Sequence, residues 1–154
     1  MNTLKILQFV ALILGAIALA PAGAHLFSMP NKVGLSQADY FVAQGVYRGW
    51  ALFGVVLFTN LAVLAVLAIR QRAQMTPFVL VLGALAAQLA TLAIFFIFVF
   101  PANQATVNWT TVPADWQQWR AQWEWGHAVD ALIAFAGYCA LVTSVLTDGT
   151  NSQE

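Results

Sequence analysis

This chain of 154 residues is 61% hydrophobic and only 8% charged, which is too little charge to cover a water-soluble globule, since such domains are about one-quarter charged. Six basic and six acidic residues give a formal net charge of zero, and the basic residues form no run. The sequence therefore lacks the phosphate-neutralising surface of a nucleic-acid-binding protein and the polybasic patch that binds anionic lipid headgroups. We predict an integral membrane protein whose main partner is the lipid bilayer.

Four apolar segments are long enough to cross the hydrocarbon core, which takes about 20 helical residues. We predict membrane spans at about residues 6–27, 50–69, 77–100 and 127–146. The first has the outline of a cleavable signal peptide, but its length favours an uncleaved span. The predicted fold is an all-α, four-helix transmembrane bundle that occupies residues 1–154 as a single domain.

The basic residues at the predicted helix ends indicate an orientation. Lys5 precedes the first span, and Arg70 and Arg72 lie in the short connection between the second and third spans. Because positive charge is enriched on the cytoplasmic side, we expect both termini in the cytoplasm and two outer loops on the opposite side. The plasma (inner) membrane is the default location.

Helix-start signals predict that short interfacial helices extend from the outer loops into the spans. Ser36 and Asp39 have the spacing of a capping box, which predicts a helix that runs on into the second span. Pro113 is suited to open a helix that runs into the fourth span, and Thr76 with Pro77 to open the third. The first turns of the helix after Ser36 carry three polar side chains on one face: Tyr40, Gln44 and Tyr47.

The helix predicted before and within the fourth span has a face that is both aromatic and ionisable. Because a carboxylate in apolar surroundings costs several kcal/mol when unpaired, we expect Asp130 to have a partner, with Arg48, Arg120 and His25 as candidates. Glu124 lies at the border of this face, four residues after Arg120, with which it could pair on the surface. For the tryptophans we favour a belt at the membrane interface. Six residues share the face: Trp116, Trp119, Arg120, Trp123, His127 and Asp130.

His25 and His127 are predicted at comparable depth, at the outer ends of the first and fourth spans, so they could meet. With Glu124 they have the composition of a mononuclear two-histidine, one-carboxylate metal site, and a bis-histidine haem is a second alternative. A di-iron site is excluded, because it takes several glutamates and this chain has only Glu124 and Glu154. In the alternative without a cofactor, His25 binds a loop carbonyl and His127 pairs with an acid one turn away.

The residues Pro101-Ala102-Asn103, followed by Trp119-Arg120, Trp123-Glu124 and His127, resemble the anthrone-oxygenase-like family of small four-span membrane proteins. The resemblance covers mainly the second half of the chain. It implies oxygenation of an activated aromatic carbon acid with no required bound cofactor. The family commonly has a basic residue three positions after the histidine, where this chain has Asp130.

Such a reaction needs a base that forms a carbanion and a group that holds the enolate oxygen. The resemblance implies that His127, steered by Asp130, is the base, and that Arg120 or Arg48 acts with Asn103 on the oxygen. The candidate catalytic residues are His127, Asp130, Arg120 and Glu124. The candidate substrate-binding residues are His25, Tyr47, Arg48, Asn103, Trp119 and Trp123.

Three functional hypotheses remain open at this point. The first is a membrane oxidoreductase or oxygenase that acts on a lipophilic aromatic or quinone-like molecule at the outer face. The second is a subunit or scaffold without enzymatic activity, which docks a partner membrane protein or a second copy of the chain through its outer tryptophan-rich surface. The third is a carrier of haem or a single metal ion that uses His25 and His127.

Overall fold

Helices make up most of residues 2–148, which are the part of the chain that the computed structural model describes. The end of the predicted single domain, including Glu154, lies outside the described residues. No strand occurs within residues 2–148. The α-helices are α1 (Thr3–Lys32), α2 (Gln37–Gln44), α3 (Phe53–Gln71), α4 (Met75–Ile94), α5 (Phe100–Ala105) and α6 (Trp116–Thr147).

Four helical segments are long and apolar enough to cross a membrane. Each contains one of the predicted spans and extends beyond it, so the prediction of an all-α, four-helix bundle is confirmed. The fourth segment differs most from the prediction, because it begins at Trp116 and not at residue 127. The four segments are Thr3–Lys32, Trp50–Gln71, Met75–Ala105 and Trp116–Thr147. The protein is a multi-pass integral membrane protein.

Small residues allow the long helices to approach closely, as is common in lipid, where packing and not hydrophobicity holds helices together. Gly137 of α6 lies against Ala84 and Ala87 of α4, and a Cβ atom at residue 137 would come within 2.6 Å of the Ala87 Cβ. Gly15 of α1 lies against the ring of Tyr138 in the same way. These contacts pack α4 and α1 against neighbouring positions of α6.

The two ends of the bundle contain different groups of polar residues. At one end the start of α1 meets the end of α6, because Gln8 Nε2 donates to Asp148 Oδ2 at 2.7 Å and Lys5 Nζ lies 3.8 Å from the same oxygen. We call this the terminal end, and the opposite end, which holds His25 and His127, the histidine end. The start of α1 and the end of α6 thus lie at the same end of the bundle, as expected for an even number of spans.

The loop helices differ from the prediction in two respects. Ser36 does cap α2, since its Oγ accepts from the Asp39 N–H at 3.3 Å, but α2 ends at Gln44 and does not continue into the second span. Gly49, with a φ of 85°, separates α2 and the 3-10 turn after it from that span. The expectation of one continuous helix is wrong because this left-handed backbone, which glycine adopts easily, breaks the helix.

The prolines do not stand where the prediction put them. Pro113 does not open α6, which begins at Trp116; the Pro113 carbonyl accepts the Trp116 N–H at 3.2 Å in a turn before the helix. Pro77 is the third residue of α4, which begins at Met75. Both prolines lie in or just before a first helical turn, where a missing N–H removes no intrahelical hydrogen bond.

Two irregular segments shape the histidine end. A π-helical stretch, Phe95–Val99, separates α4 from α5. After α5, three consecutive residues without a glycine among them have positive φ: Val107 at 49°, Asn108 at 53° and Trp109 at 63°. This turn is closed by the Trp109 N–H, which donates to the Thr106 hydroxyl at 3.1 Å, and it leaves Trp109 buried.

Candidate functional site

The rings of His25 and His127 stack on each other at the histidine end. Their centroids lie 3.8 Å apart with an interplanar angle of 11°. The two histidines therefore meet, at comparable depth, although they are 102 residues apart in the chain (127 − 25). The expected hydrogen bond from His25 to a loop carbonyl is not formed, because within residues 2–148 its Nδ1 is buried without a partner.

Aromatic rings surround the histidine pair on several sides. The centroid of His25 lies 4.3 Å from that of Tyr47 and 5.5 Å from that of Trp50. Trp123 packs edge-on against both imidazoles, at 4.9 Å from His25 and 4.3 Å from His127. The Trp123 indole N–H donates to Asn103 Oδ1 at 2.9 Å, which fixes the indole against the pair.

Two of the six tryptophans are buried inside the chain and do not fit the expected interfacial belt. Trp109 is 6% exposed and Trp123 is 3% exposed, and their rings lie 5.8 Å apart. Trp50, Trp116 and Trp119 are partly buried, while Trp125 is 64% exposed. The belt interpretation therefore fits Trp125 and fails for the buried pair, because tertiary contacts between loop and helix enclose their rings.

A buried ion pair lies beside the histidines. Lys32 Nζ is 3.0 Å from Glu124 Oε1, and the two side chains are 7% and 1% exposed. The same oxygen accepts from the Tyr40 hydroxyl at 2.9 Å, and Gln44 Nε2 donates to that hydroxyl. Burial, followed by the neighbouring Glu124 carboxylate, raises the pKa of Tyr40 well above its usual 10.0, so the phenol stays a donor.

Lys32 also donates to the Tyr47 hydroxyl at 3.0 Å, which in turn shares a hydrogen bond of 3.0 Å with Ser28. The network thus joins α1, α2, the 3-10 turn Gly45–Tyr47 and α6 over the histidine pair. The sequence analysis missed Lys32 because the first span was ended at residue 27. The signal was present, since Lys32 is seven residues after His25 and hence on the same helix face.

Arg120 does not pair with Glu124, although the two are four residues apart. Its guanidinium donates to the Leu35 carbonyl at 3.2 Å and lies 4.7 Å from the Trp116 ring centroid. The predicted surface pair is wrong because the partly buried Arg120 side chain turns to the loop and the Glu124 side chain turns inward to Lys32. Arg120 therefore supports the loop before α2.

A cavity of about 730 Å³ extends from the histidine pair into the bundle between the four spans. Its walls are mainly aliphatic and aromatic. Phe58 of α3 and Phe96 of the π segment line it, and these two residues are 56% and 53% exposed. The cavity wall between the second and third spans therefore includes exposed side chains.

The predicted site residues divide into two groups. Trp119 packs into the aromatic cluster around Tyr40, and Glu124 and Arg120 are engaged in the network and the loop, so these three lie outside the cavity lining. The remaining seven predicted site residues line the cavity: His25, Tyr47, Arg48, Asn103, Trp123, His127 and Asp130.

No protein-family model matches this chain, and no curated protein and no solved structure is similar to it. The resemblance to the anthrone-oxygenase-like family therefore rests on the residues quoted above.

Asp130 lines the cavity without the partner that the sequence analysis expected. In the part of the chain described, no ion pair joins it to Arg48, Arg120 or His25, and its Oδ1 is buried without a hydrogen bond. Nor does it bond to His127, three residues before it. The carboxyl group is therefore available to a molecule in the cavity.

The side chains at the histidine end do not form the metal sites considered above. Residues 2–148 contain no group of three or more histidine, cysteine, aspartate or glutamate side chains that could hold a metal ion. Glu124 is turned to Lys32 and Tyr40, so it does not complete a triad with the histidines. The stacked imidazoles lie in ring-to-ring contact, which leaves no space between them for a porphyrin.

Proposed function

We propose that the protein binds a flat, lipophilic small molecule in the cavity and acts on it as a membrane oxidoreductase of the oxygenase type. The cavity carries this proposal. Its volume of about 730 Å³ falls within the range of roughly 300–1,000 Å³ that is typical of ligand sites, and mostly apolar walls with a few convergent polar groups are the usual composition of such sites. Here those groups include His127 and the unpartnered Asp130.

A lipophilic substrate would reach the cavity from the bilayer. Phe58 and Phe96 line the cavity and are more than half exposed, which supports access between the second and third spans. The tilted and edge-on rings around His25 offer flat apolar surfaces to an aromatic molecule. We place the protein in the plasma membrane with both termini on the cytoplasmic side. The basic residues at the terminal end, Lys5, Arg70 and Arg72, support this orientation, because positive charge is enriched on the cytoplasmic side.

The proposed chemistry is proton removal followed by reaction with dioxygen. His127 takes a proton from an activated CH₂ group of the substrate, and Asp130, one helical turn away, stabilises the imidazolium that forms. Arg48 and the amide nitrogen of Asn103 are donors at the cavity that can hold the enolate oxygen. Dioxygen is the oxidant: the CH₂ group becomes a carbonyl with one oxygen atom, and the other leaves as water with both hydrogens.

The docking hypothesis has less support, because Trp50, Trp109, Trp116 and Trp123 pack against other aromatic rings of the chain. Only Trp125 among the six, at 64%, is largely exposed, and a single exposed ring is ordinary for a lipid-facing helix. The stacked histidines likewise offer little support for a haem or metal carrier.

The decisive experiment uses anthrone as a probe with the full-length protein in lipid nanodiscs. Quenching of tryptophan fluorescence reports binding, because Trp50 and Trp123 line the cavity, and oxygen uptake with formation of the quinone reports turnover. His127→Ala should keep binding and lose at least about 100-fold in turnover, the usual contribution of a general base. Thr143→Ala, on an exposed part of α6, is the matched control.

Two results would overturn the proposal. An absence of saturable quenching in the native protein would remove the binding site. Undiminished oxygen uptake in His127→Ala would remove the proposed base, even if binding were retained.

A further inference from the structure

We infer that the cavity contains a second polar binding position, deep in the membrane, formed by Asn60 of α3 and Gln88 of α4. This position takes the hydroxyl group at the far end of an elongated lipophilic ligand whose other polar group lies at His127 and Asp130. The inference rests on the proposed function and adds to it the shape and polarity of the molecule.

The first support is the hydrogen bonding of the two amides. Asn60 Nδ2 donates to Gln88 Oε1 at 3.1 Å, and both side chains line the cavity. Asn60 is 3% exposed, yet its Oδ1 has no hydrogen-bond partner among residues 2–148. Gln88 Nε2 likewise donates to none of those residues. One hydrogen bond thus joins the two helices, while the acceptor Asn60 Oδ1 and the donor Gln88 Nε2 have no partner among residues 2–148.

Amide pairs in membrane helices often serve only to hold the helices together. That role explains the bond between Asn60 and Gln88 but not the unused groups. A buried carbonyl oxygen without a donor is unfavourable in apolar surroundings, because its hydrogen bonds to water are lost and no protein hydrogen bond replaces them. A hydroxyl group can donate to Asn60 Oδ1 and accept from Gln88 Nε2 at once, and it therefore satisfies both.

The second support is the depth of this position. Gly137 of α6 lies directly against Ala87, the neighbour of Gln88, so the two are at the same level in the bundle. From His127 to Gly137 are ten helical residues, a rise of about 15 Å, and from Asp130 seven residues, about 10 Å. The cavity touches side chains at both levels.

The wall between the two levels is mainly apolar, and the Thr91 hydroxyl that also lines it already donates to the Gln88 backbone carbonyl at 2.9 Å. Leu57 of α3, Leu92 of α4 and Ala134 of α6 line the cavity at intermediate positions. A ligand that satisfies the whole cavity therefore has an apolar body with a polar group at each end. A lipid-like molecule with a single polar head would leave Asn60 Oδ1 without a donor.

The test compares two rigid probes of nearly equal shape. In 4,4′-dihydroxybiphenyl the two hydroxyl oxygens are roughly 10 Å apart, which matches the rise of seven helical residues that separates Asp130 from the level of the deep position. In 4-hydroxy-4′-methylbiphenyl a methyl group replaces one of them. Binding is measured by tryptophan quenching of the full-length protein in nanodiscs, with each affinity corrected for partition of the probe into protein-free discs.

The native protein should bind the dihydroxy probe about tenfold more tightly than the methyl probe. Asn60→Leu should reduce this preference to about one while leaving the affinity for the methyl probe unchanged. Gln88→Leu, at a less buried position, should also reduce the preference, and it serves if Asn60→Leu does not fold. Thr59→Val, at an exposed position on the same helix, should retain the full preference.

Equal binding of both probes by the native protein would refute the deep position and leave the proposed function standing. A preference that survives in both amide variants would refute it as well. Binding of neither probe would refute the deep position, and the proposed function would be refuted with it only if anthrone also failed to quench the tryptophan fluorescence.

Discussion

Lys32 Nζ lies 3.0 Å from Glu124 Oε1, and almost no solvent reaches either side chain. The pair joins the last turn of α1 to α6. The Tyr40 hydroxyl donates to the same carboxylate oxygen, which ties α2 to both. The segment before the second span is therefore held beside the histidine pair by a buried ion pair and a hydrogen bond, in addition to hydrophobic contacts.

Loss of one member of this pair should be costly. Lys32→Met leaves the Glu124 carboxylate buried without its cation, which typically costs about 3–5 kcal/mol. We expect a clear fall in the thermal unfolding midpoint of the detergent-purified protein. Lys5→Met is the matched control, because Lys5 is 50% exposed and lies 3.8 Å from Asp148, an arrangement worth about 0–1 kcal/mol.

The double variant Lys32→Met with Glu124→Leu should recover much of the lost stability, since apolar replacement of a buried pair is often close to neutral. Equal midpoints for Lys32→Met and Lys5→Met would contradict the assignment of a buried ion pair.

Tyr40 should make the protein sensitive to alkaline pH. Its pKa is raised in the folded state, first by burial and then by Glu124, above the usual 10.0. The folded protein thus holds a proton that the unfolded chain releases, so the stability that Tyr40 contributes is complete below about pH 10 and is lost as the pH rises further. Unfolding midpoints measured from about pH 8 to 11 should fall in the native protein.

Tyr40→Phe should start from a lower midpoint, because the hydrogen bond to Glu124 is missing, and should then fall less steeply with pH. Tyr138→Phe keeps Tyr40 and should follow the native curve. Parallel curves for the native protein and Tyr40→Phe would contradict the raised pKa.

The four spans could be predicted from the sequence because the bilayer sets their length, and the even number of crossings places His25 and His127 at comparable depth. That the two rings face each other is shown only by the structure. The partners of the charged residues could not be predicted. Glu124 has Arg120 four residues away on its own helix, yet it binds Lys32, 92 residues earlier in the chain (124 − 32). The rotation of each helix about its own axis determines which of these partners a side chain meets, and this rotation cannot be deduced from local periodicity.

The burial of the tryptophans could not be predicted for a related reason. Trp109 is the last of three consecutive residues with positive φ, and no glycine among them signals the conformation. Its ring is enclosed by Tyr40 and Trp123 from distant elements. A tryptophan near a helix end suits the membrane interface equally well, so its residue type does not distinguish the two positions.

Gly137 should not tolerate a methyl group. The Cβ atom of Gly137→Ala would lie 2.6 Å from the Ala87 Cβ, which would force α4 and α6 apart. Overpacking of this kind costs about 1–3 kcal/mol, so the unfolding midpoint should fall. Gly83→Ala on α4 is the control, because no atom lies within 4 Å of the added Cβ and alanine is the better helix former. A midpoint for Gly137→Ala at or above that of Gly83→Ala would contradict the close approach.

The turn after α5 should be improved by a residue that accepts left-handed backbone. Val107 has a φ of 49°, although its β-branched side chain disfavours this conformation, and it is 57% exposed, so little packing is lost on substitution. Asparagine adopts the left-handed region more readily. Val107→Asn should therefore raise the free energy of unfolding by about 1 kcal/mol. Val112→Asn, at a position 47% exposed and without positive φ, makes the same chemical change and should not stabilise. If both variants shift the unfolding midpoint equally, the effect comes from polarity at the membrane surface, and the backbone at residue 107 is not strained.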